Sequence, residues 1–317
     1  MTSAFVLVVN PHAGAGRVSA VLPAIESALR ARGASFRTEL TRGHGDATRI
    51  VRAALRDGAE GVAVVGGDGT LSEAAHGFFT EDGQPLAPNA FLAPISAGTG
   101  GDFRKSVGSA NVDRRGLGVG QAVDRMLNAT PRPIDAGWLE HLDHDGRPAR
   151  RAFLNIASFG MGGLVDRLVN DSPKWMGGQA AFMVGSFRAL VRYRAAPIRV
   201  RIDDGPLRET TVLNMMVANG QYFGGGMHAA PRAVIDDGLF DIVGMEHMSK
   251  SAAVLATKKL YDGSLLSHPR VTFARARKVY AEPVNARDAV LLDIDGEAPG
   301  KLPATFEMRE RAFLLRA

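Results

Sequence analysis

The chain has 317 residues, 45% hydrophobic and 22% charged, which predicts two soluble folded domains and excludes disordered, collagen-like and coiled-coil classes. It has no cysteine, which excludes a disulfide framework, a thiolate zinc site and a cysteine nucleophile, and makes a reducing cytosol the expected location. The 38 basic against 33 acidic residues give a net charge of +5, spread along the chain; nucleotides, phospholipid surfaces or nucleic acid would suit it, and the motifs below favour the first two, so no nucleic acid partner is expected.

No stretch approaches the ~20 apolar residues of a membrane-spanning helix, so any membrane contact is expected to be peripheral. The start, Ala4-Phe5-Val6-Leu7-Val8-Val9, is too short for a signal-peptide core and reads as a buried first strand. The loop Asn10–Arg17 follows, then a helix from about Val18 to Arg32 with Val21, Ile25, Ala28 and Leu29 on one face. A second strand is predicted over Ser35–Leu40 and a second helix over Asp46–Arg56. The third strand, Gly61–Val65, runs into Gly66-Gly67-Asp68-Gly69-Thr70 and a helix carrying Leu71 to Phe79. The fourth, Phe91–Ile95, runs into the glycine-rich Ser96–Gly101. Strand, loop and helix in repetition predict a parallel sheet covered by helices, with ligands at the carboxyl ends of the strands.

After Pro131-Arg132-Pro133 the texture changes. Short strand-like runs occur at Arg151–Ser158, Ile198–Ile202, Thr211–Ala218, Leu239–Val243, Arg270–Phe273 and Val290–Ile294. Such spacing predicts a mainly antiparallel β-sandwich. Helical stretches near Gln179–Tyr193 and Ser249–Tyr261 interrupt it. The expected domains are 1–130 and 131–317, with the tail Thr305–Leu315 able to pack on either.

Chemistry gathers in the glycine-rich turns. Asn10-Pro11-His12-Ala13-Gly14-Ala15-Gly16 matches neither a Walker A loop nor G-x-G-x-x-G, but glycines before a helix let backbone approach a phosphate. In Gly66–Thr70, with Glu73 a turn later, an acid stands among backbone donors and is suited to hold Mg²⁺ against phosphate. The alternative is that Asp68 or Thr70 caps a helix. Ser96–Phe103 repeats the pattern of glycines, hydroxyl and acid, with Asp102 as the acid. Gly224-Gly225-Gly226, Asp236-Asp237-Gly238 and Asp293-Ile294-Asp295-Gly296-Glu297 complete the set. The last could bind metal, take a proton from a hydroxyl, or simply form a β-turn.

These motifs, with Asn155–Gly160, Ala218–Gly226 and Ala230-Pro231, resemble the diacylglycerol kinase catalytic-domain family, which includes soluble bacterial lipid kinases and relatives of sphingosine and ceramide kinases. They stand in family order and cover essentially the whole chain. The resemblance implies an α/β nucleotide-binding domain, a β-sandwich substrate domain and an active site in the cleft between them. It implies transfer of the γ-phosphate of ATP to a lipid hydroxyl, most simply diacylglycerol, with Mg²⁺ as cofactor and contact at a membrane surface; a homodimer is compatible with it. The nucleotide would lie against Asn10, Pro11, Gly14, Thr41, Gly66, Gly67, Asp68, Gly69, Thr70, Leu71, Ser72, Glu73 and Thr99. Asp68 would organise the catalytic Mg²⁺ with help from Asp102. A second, structural Mg²⁺ would take Asp237 and the backbone oxygens of Val234 and Leu239. Glu297 would be the general base with Asp295 close behind, although some relatives assign that role to the acid matching Asp68. One departure is Gly101, where the family usually has asparagine; Arg104-Lys105 also replaces the usual Ala-Arg. The competing readings are a kinase of the NAD-kinase type and a non-catalytic nucleotide- or lipid-binding relative.

Three features are set aside from the site. His141 and His144 fall at a polar hairpin turn; Trp175, Met176, Phe182, Met183 and Phe187 read as core; Arg188, Arg192 and Arg194 read as a solvated helix face.

Overall fold

The computed structural model describes residues 4–96, 101–108, 118–164, 193 and 195–317. Thr99, the apolar stretch from Trp175 to Phe187, the three arginines at 188, 192 and 194, and all but Tyr193 of the helix expected over 179–193 lie outside the described residues. The chain forms two compact units, Met1–Asp135 with Glu310–Ala317, and Ala136–Arg309.

The first unit alternates strand and helix. Its elements are β1 (Phe5–Val9), α1 (Arg17–Ala31), β2 (Phe36–Leu40), α2 (Asp46–Arg56), β3 (Gly61–Gly66), α3 (Asp68–His76), β4 (Phe91–Ser96), α4 (Asp102–Val107) and α5 (Val119–Asn128). The strands lie in the order β2-β1-β3-β4, all parallel. Strands β1 and β3 are buried along their whole length, which their near-continuous valines allow only in a sheet covered on both faces. Helix α1 buries Val18, Val21, Ile25 and Leu29, one stripe at helical spacing, against that sheet. Because β2 and β3 lie on either side of β1, the order reverses between β1 and β3. The loops after those two strands therefore flank the crevice where open α/β sheets bind ligands.

The second unit is antiparallel. It contains β5 (Arg132–Leu142, which begins in the first unit), β6 (Pro148–Phe153), β7 (Ile156–Gly160), β8 (Pro197–Ile202), β9 (Arg208–Ala218), β10 (Tyr222–Phe223), β11 (Met227–His228), β12 (Phe240–Glu246), β13 (Val271–Ala276), β14 (Lys278–Pro283), β15 (Leu292–Ile294) and β16 (Lys301–Leu315). Strand β9 pairs with β7, β8 and β12; β15 extends the sheet beyond β7, and β13 beyond β12. Stacked rings hold the core, with Phe153 on Phe240 at 5.6 Å and Phe159 on Phe306 at 5.8 Å. The helix Lys250–Asp262 starts at Ser249, whose hydroxyl accepts the Ala252 N–H.

The Pro131-Arg132-Pro133 run opens strand β5, since proline near a strand's start forfeits little ladder bonding, and the units divide just after it, between Asp135 and Ala136. One sequence expectation is corrected. The single strand expected over Arg151–Ser158 is two strands, β6 and β7, broken at Leu154-Asn155. The break has an electrostatic cause. Asp295 takes the N–H groups of Leu154, Asn155 and Ile156 on its carboxylate at 3.0, 3.0 and 3.1 Å, withdrawing them from the ladder. Asp295→Ala should leave three part-buried donors unsatisfied and lower stability by on the order of 2–3 kcal/mol. Urea midpoints would measure it; an unchanged midpoint would mean the break needs no carboxylate.

Candidate active site

Asp68 stands at the first position of α3, directly after β3 and Gly67. At Gly66 an added Cβ would lie 2.8 Å from the Thr70 side chain, so the strand end admits no larger residue. At Gly67 an added Cβ would meet nothing, so the backbone there is open to an incoming group. The Asp68 carboxylate accepts the N–H of Gly101 at 2.7 Å, Asp102 at 3.1 Å and, more weakly, Phe103 at 3.4 Å. The acid thus caps the neighbouring helix α4 rather than its own. Burial, and then the nearby Asp102 carboxylate, push the Asp68 carboxyl above its ordinary range against the pull of those N–H groups. Asp102 is itself buried and is paired with Lys105 at 3.0 Å. Two carboxylates held this close supply hard oxygen donors and a repulsion that a divalent cation would relieve, so the residues present fit Mg²⁺.

Around this acid is a recess of about 270 Å³, counting space open to solvent, lined by Gly66, Gly67, Asp68, Leu71, Ser96 and Gly101. Pro94 and Val64, which no glycine motif marks, also line it. From the other side of the crevice Asn10 donates its side-chain N–H to Thr70 Oγ1 at 3.0 Å and accepts the His12 N–H, tying the first loop to the third strand's turn. In that first loop Gly14, Ala15 and Gly16 all have positive φ, and the Pro11 carbonyl accepts the Ser19 hydroxyl. Thr41 is buried, with its N–H on the Val9 carbonyl. Glu73 pairs with His44 at 3.0 Å. Ser72 is buried, with no hydrogen-bond partner for its hydroxyl.

Gly101 explains itself through its backbone. Its φ of +76° and ψ of 41° are left-handed, a conformation that glycine takes freely and asparagine tolerates best among the rest. A Cβ there would lie 2.9 Å from Arg104 Nε, the far end of a flexible side chain.

In the second unit the motif acids divide by role. Asp295 and Gly296, with φ of +50° and +86°, form the tight turn that Asp-Gly pairs favour, closed by reciprocal bonds between Ile294 and Glu297. Asp293 accepts the Gly296 N–H at 3.0 Å and the Ser158 hydroxyl at 3.3 Å. The side chain of Glu297, in contrast, meets Arg151 Nη1 at 2.6 Å. Asp237 accepts the Leu239 N–H on one oxygen and Arg275 on the other; Arg275 also reaches Asp241 at 3.1 Å. Both Asp237 oxygens are therefore engaged, and Val234 is exposed at 45%. A second cation held here by Asp237 would compete with Arg275 for that carboxylate. His141 and His144 do not converge. His144 bonds the Ala298 carbonyl, while His141 is buried against Pro299 with no well-formed hydrogen bond. Nothing in the sequence pattern links Arg151 to Glu297 or Arg275 to Asp237. For Arg151, a charged residue inside a predicted strand is the only signal; for Arg275 there is none.

The chain thus combines a parallel α/β unit carrying an acid on a glycine turn with a mainly antiparallel β unit. Residues 4–139 match the diacylglycerol kinase catalytic domain, and residues 155–316 match the YegS C-terminal NAD kinase beta sandwich-like domain. The chain belongs to the family of diacylglycerol-kinase and YegS-like lipid kinases. It is 27% identical to a diacylglycerol kinase of Bacillus subtilis (strain 168) over 95% of this chain and 91% of that one. It is 31% identical to a YegS-like lipid kinase of Xanthomonas euvesicatoria pv. vesicatoria over 85% and 82%. A diacylglycerol kinase structure from Bacillus anthracis str. Sterne superposes with a TM-score of 0.67 at 21% identity, covering 99% of this chain and 96% of that one. Among the described residues no helix is long and apolar enough to cross a membrane.

Two expectations follow. Gly101→Asn should fold, with Arg104 moving aside, and change stability by less than about 1 kcal/mol. A loss several times larger in thermal melts would show that the loop requires glycine. For His141, burial and then the nearby Arg151 hold its pKa down at about 4, against 6.5 when free. The unfolded chain then binds this proton across that window and the folded chain does not, so stability falls as pH drops from 6.5 to 4. The histidine's share is roughly 2–3 kcal/mol, and His141→Leu should flatten the profile by that amount. An unchanged slope of urea midpoint against pH would place the sensitivity elsewhere.

Proposed function

We propose that this lipid kinase transfers the γ-phosphate of ATP to the free hydroxyl of diacylglycerol, giving phosphatidic acid at a membrane surface reached from the cytoplasm. The observation that carries the reading is the pair Asp68 and Asp102 beside an open glycine backbone. Phosphoryl transfer proceeds through a loose transition state, so positioning and neutralisation of phosphate oxygens do most of the catalysis. The recess beside Gly66, Gly67 and Asp68 suits the phosphate end of a nucleotide, with the rest lying over Asn10, Pro11, Gly14, Thr41 and the start of α3. Asp68 and Asp102 would hold the Mg²⁺, which neutralises charge on the phosphates when bound. Glu297 is the side chain assigned to take the hydroxyl proton. Asp295 is not, because its carboxylate already accepts three backbone N–H groups.

Incubating the protein with labelled ATP, Mg²⁺ and micelles of diacylglycerol, monoacylglycerol, ceramide or sphingosine tests the acceptor. Label in phosphatidic acid is expected; label only in a sphingoid lipid would overturn the acceptor, and none in any lipid would overturn the transfer. Asp68→Asn should keep the two shorter N–H bonds through its amide oxygen, and so the fold, while turnover drops on the order of 10²-fold or more. Turnover near wild type would leave Asp68 as a cap for α4 and nothing else.

A further inference from the structure

The Asp295-Gly296 turn fixes the backbone of Glu297 but leaves its side chain three rotatable bonds. A carboxylate that accepts a proton in a phosphoryl transfer must be aimed at the acceptor, and the turn alone does not secure that. Arg151, near the end of β6, supplies the missing constraint. Its Nη1 meets Glu297 Oε2 at 2.6 Å, and the guanidinium is largely buried, with 12% of its side chain exposed against 29% for Glu297. A short, partly shielded contact of this kind is worth far more than an exposed surface pair. The second amino nitrogen, Nη2, is buried without a hydrogen-bond partner. A purely structural arginine would leave no such donor unmatched, because an unsatisfied buried N–H is destabilising. The guanidinium is therefore held at some cost in a place defined by one acid. The neighbouring His141, kept neutral by burial, does not compete as a cation.

We infer that Arg151 is a positioning residue that holds the Glu297 side chain in one orientation, fastening one carboxylate oxygen and leaving the other to take the acceptor's proton. This rests on the proposed transfer, in which the hydroxyl proton passes to Glu297 as its oxygen bonds to phosphorus and the bond to the departing diphosphate breaks. Misplacing a reacting group by about 1 Å typically costs on the order of 10²-fold in rate.

The test is a double-mutant cycle on purified full-length protein: wild type, Arg151→Met, Glu297→Gln and the double variant, with Arg151→Lys as rescue and circular dichroism to establish folding. Arg151→Met should lower kcat by roughly 10–100-fold with KM for ATP unchanged, and Arg151→Lys should recover most of it. In the Glu297→Gln background, Arg151→Met should cost nothing further, because the residue acts only through that acid. Equal losses in both backgrounds, wild-type kcat in Arg151→Met, or no recovery with lysine would each overturn the inference while leaving the kinase reading intact. Should Arg151→Met fail to fold, Arg151→Lys and Arg151→Gln close the same cycle. A wild-type protein that phosphorylates no lipid overturns the kinase reading, and this role with it.

Discussion

The second unit is organised around one carboxylate. Asp295 draws three successive backbone N–H groups, from Leu154 to Ile156, and returns its own N–H to the Ile156 carbonyl at 3.0 Å. With those donors turned away, the Asn155 carbonyl is free to accept both Asn219 and Gly220 N–H at 2.8 Å, and the Asn219 amide bonds the Leu154 carbonyl at 2.7 Å. Three stretches far apart in sequence are thereby fastened at one point. The turn carrying Glu297 inherits its place from that knot, so the acid assigned to chemistry stands on a scaffold built by the acid two residues before it.

A parallel logic operates in the first unit with the opposite cost. Asp68 also accepts several N–H groups, but it does so beside Asp102, and the two like charges raise the energy of the ionised form. Asp295 serves structure through its oxygens; Asp68 serves structure while remaining electrostatically unsatisfied. Perturbed acids of that second kind mark sites that await a cation or a substrate.

The alternation of buried strands and amphipathic helices made the first unit legible, because valine-rich runs ending in glycine have few other uses. Glycine turns likewise marked Asp68, Asp102 and Glu297. What stayed hidden was long-range pairing. Strand β5 has a proline as its second residue and hides Asp135 and Gly137 within it, while β14 is too short to show a period. The break between β6 and β7 depends on an acid encoded far downstream. The grip of Arg151 on Glu297 and of Arg275 on Asp237 is a product of packing, for which spacing along the chain holds no trace. Backbone geometry also accounts for Gly101, since the loop needs a left-handed residue and glycine and asparagine are its natural occupants.

The course of β16 has a consequence for how the chain acquires its structure. Leu314 and Leu315 pair in parallel with Phe91 and Leu92, and Phe313 packs on Phe78 at 4.6 Å, so the first unit contains a strand segment that follows the whole of Ala136–Arg309. On the ribosome, β1 to β4 emerge early, yet the outer edge of β4 stays uncovered until the second unit has been translated. The sheet of the first unit is completed only once that last strand has been made, so its closure is tied in time to that of its neighbour. Until then the edge of β4 carrying Phe91 and Leu92 lacks this partner, the kind of strand edge that pairs readily with other chains.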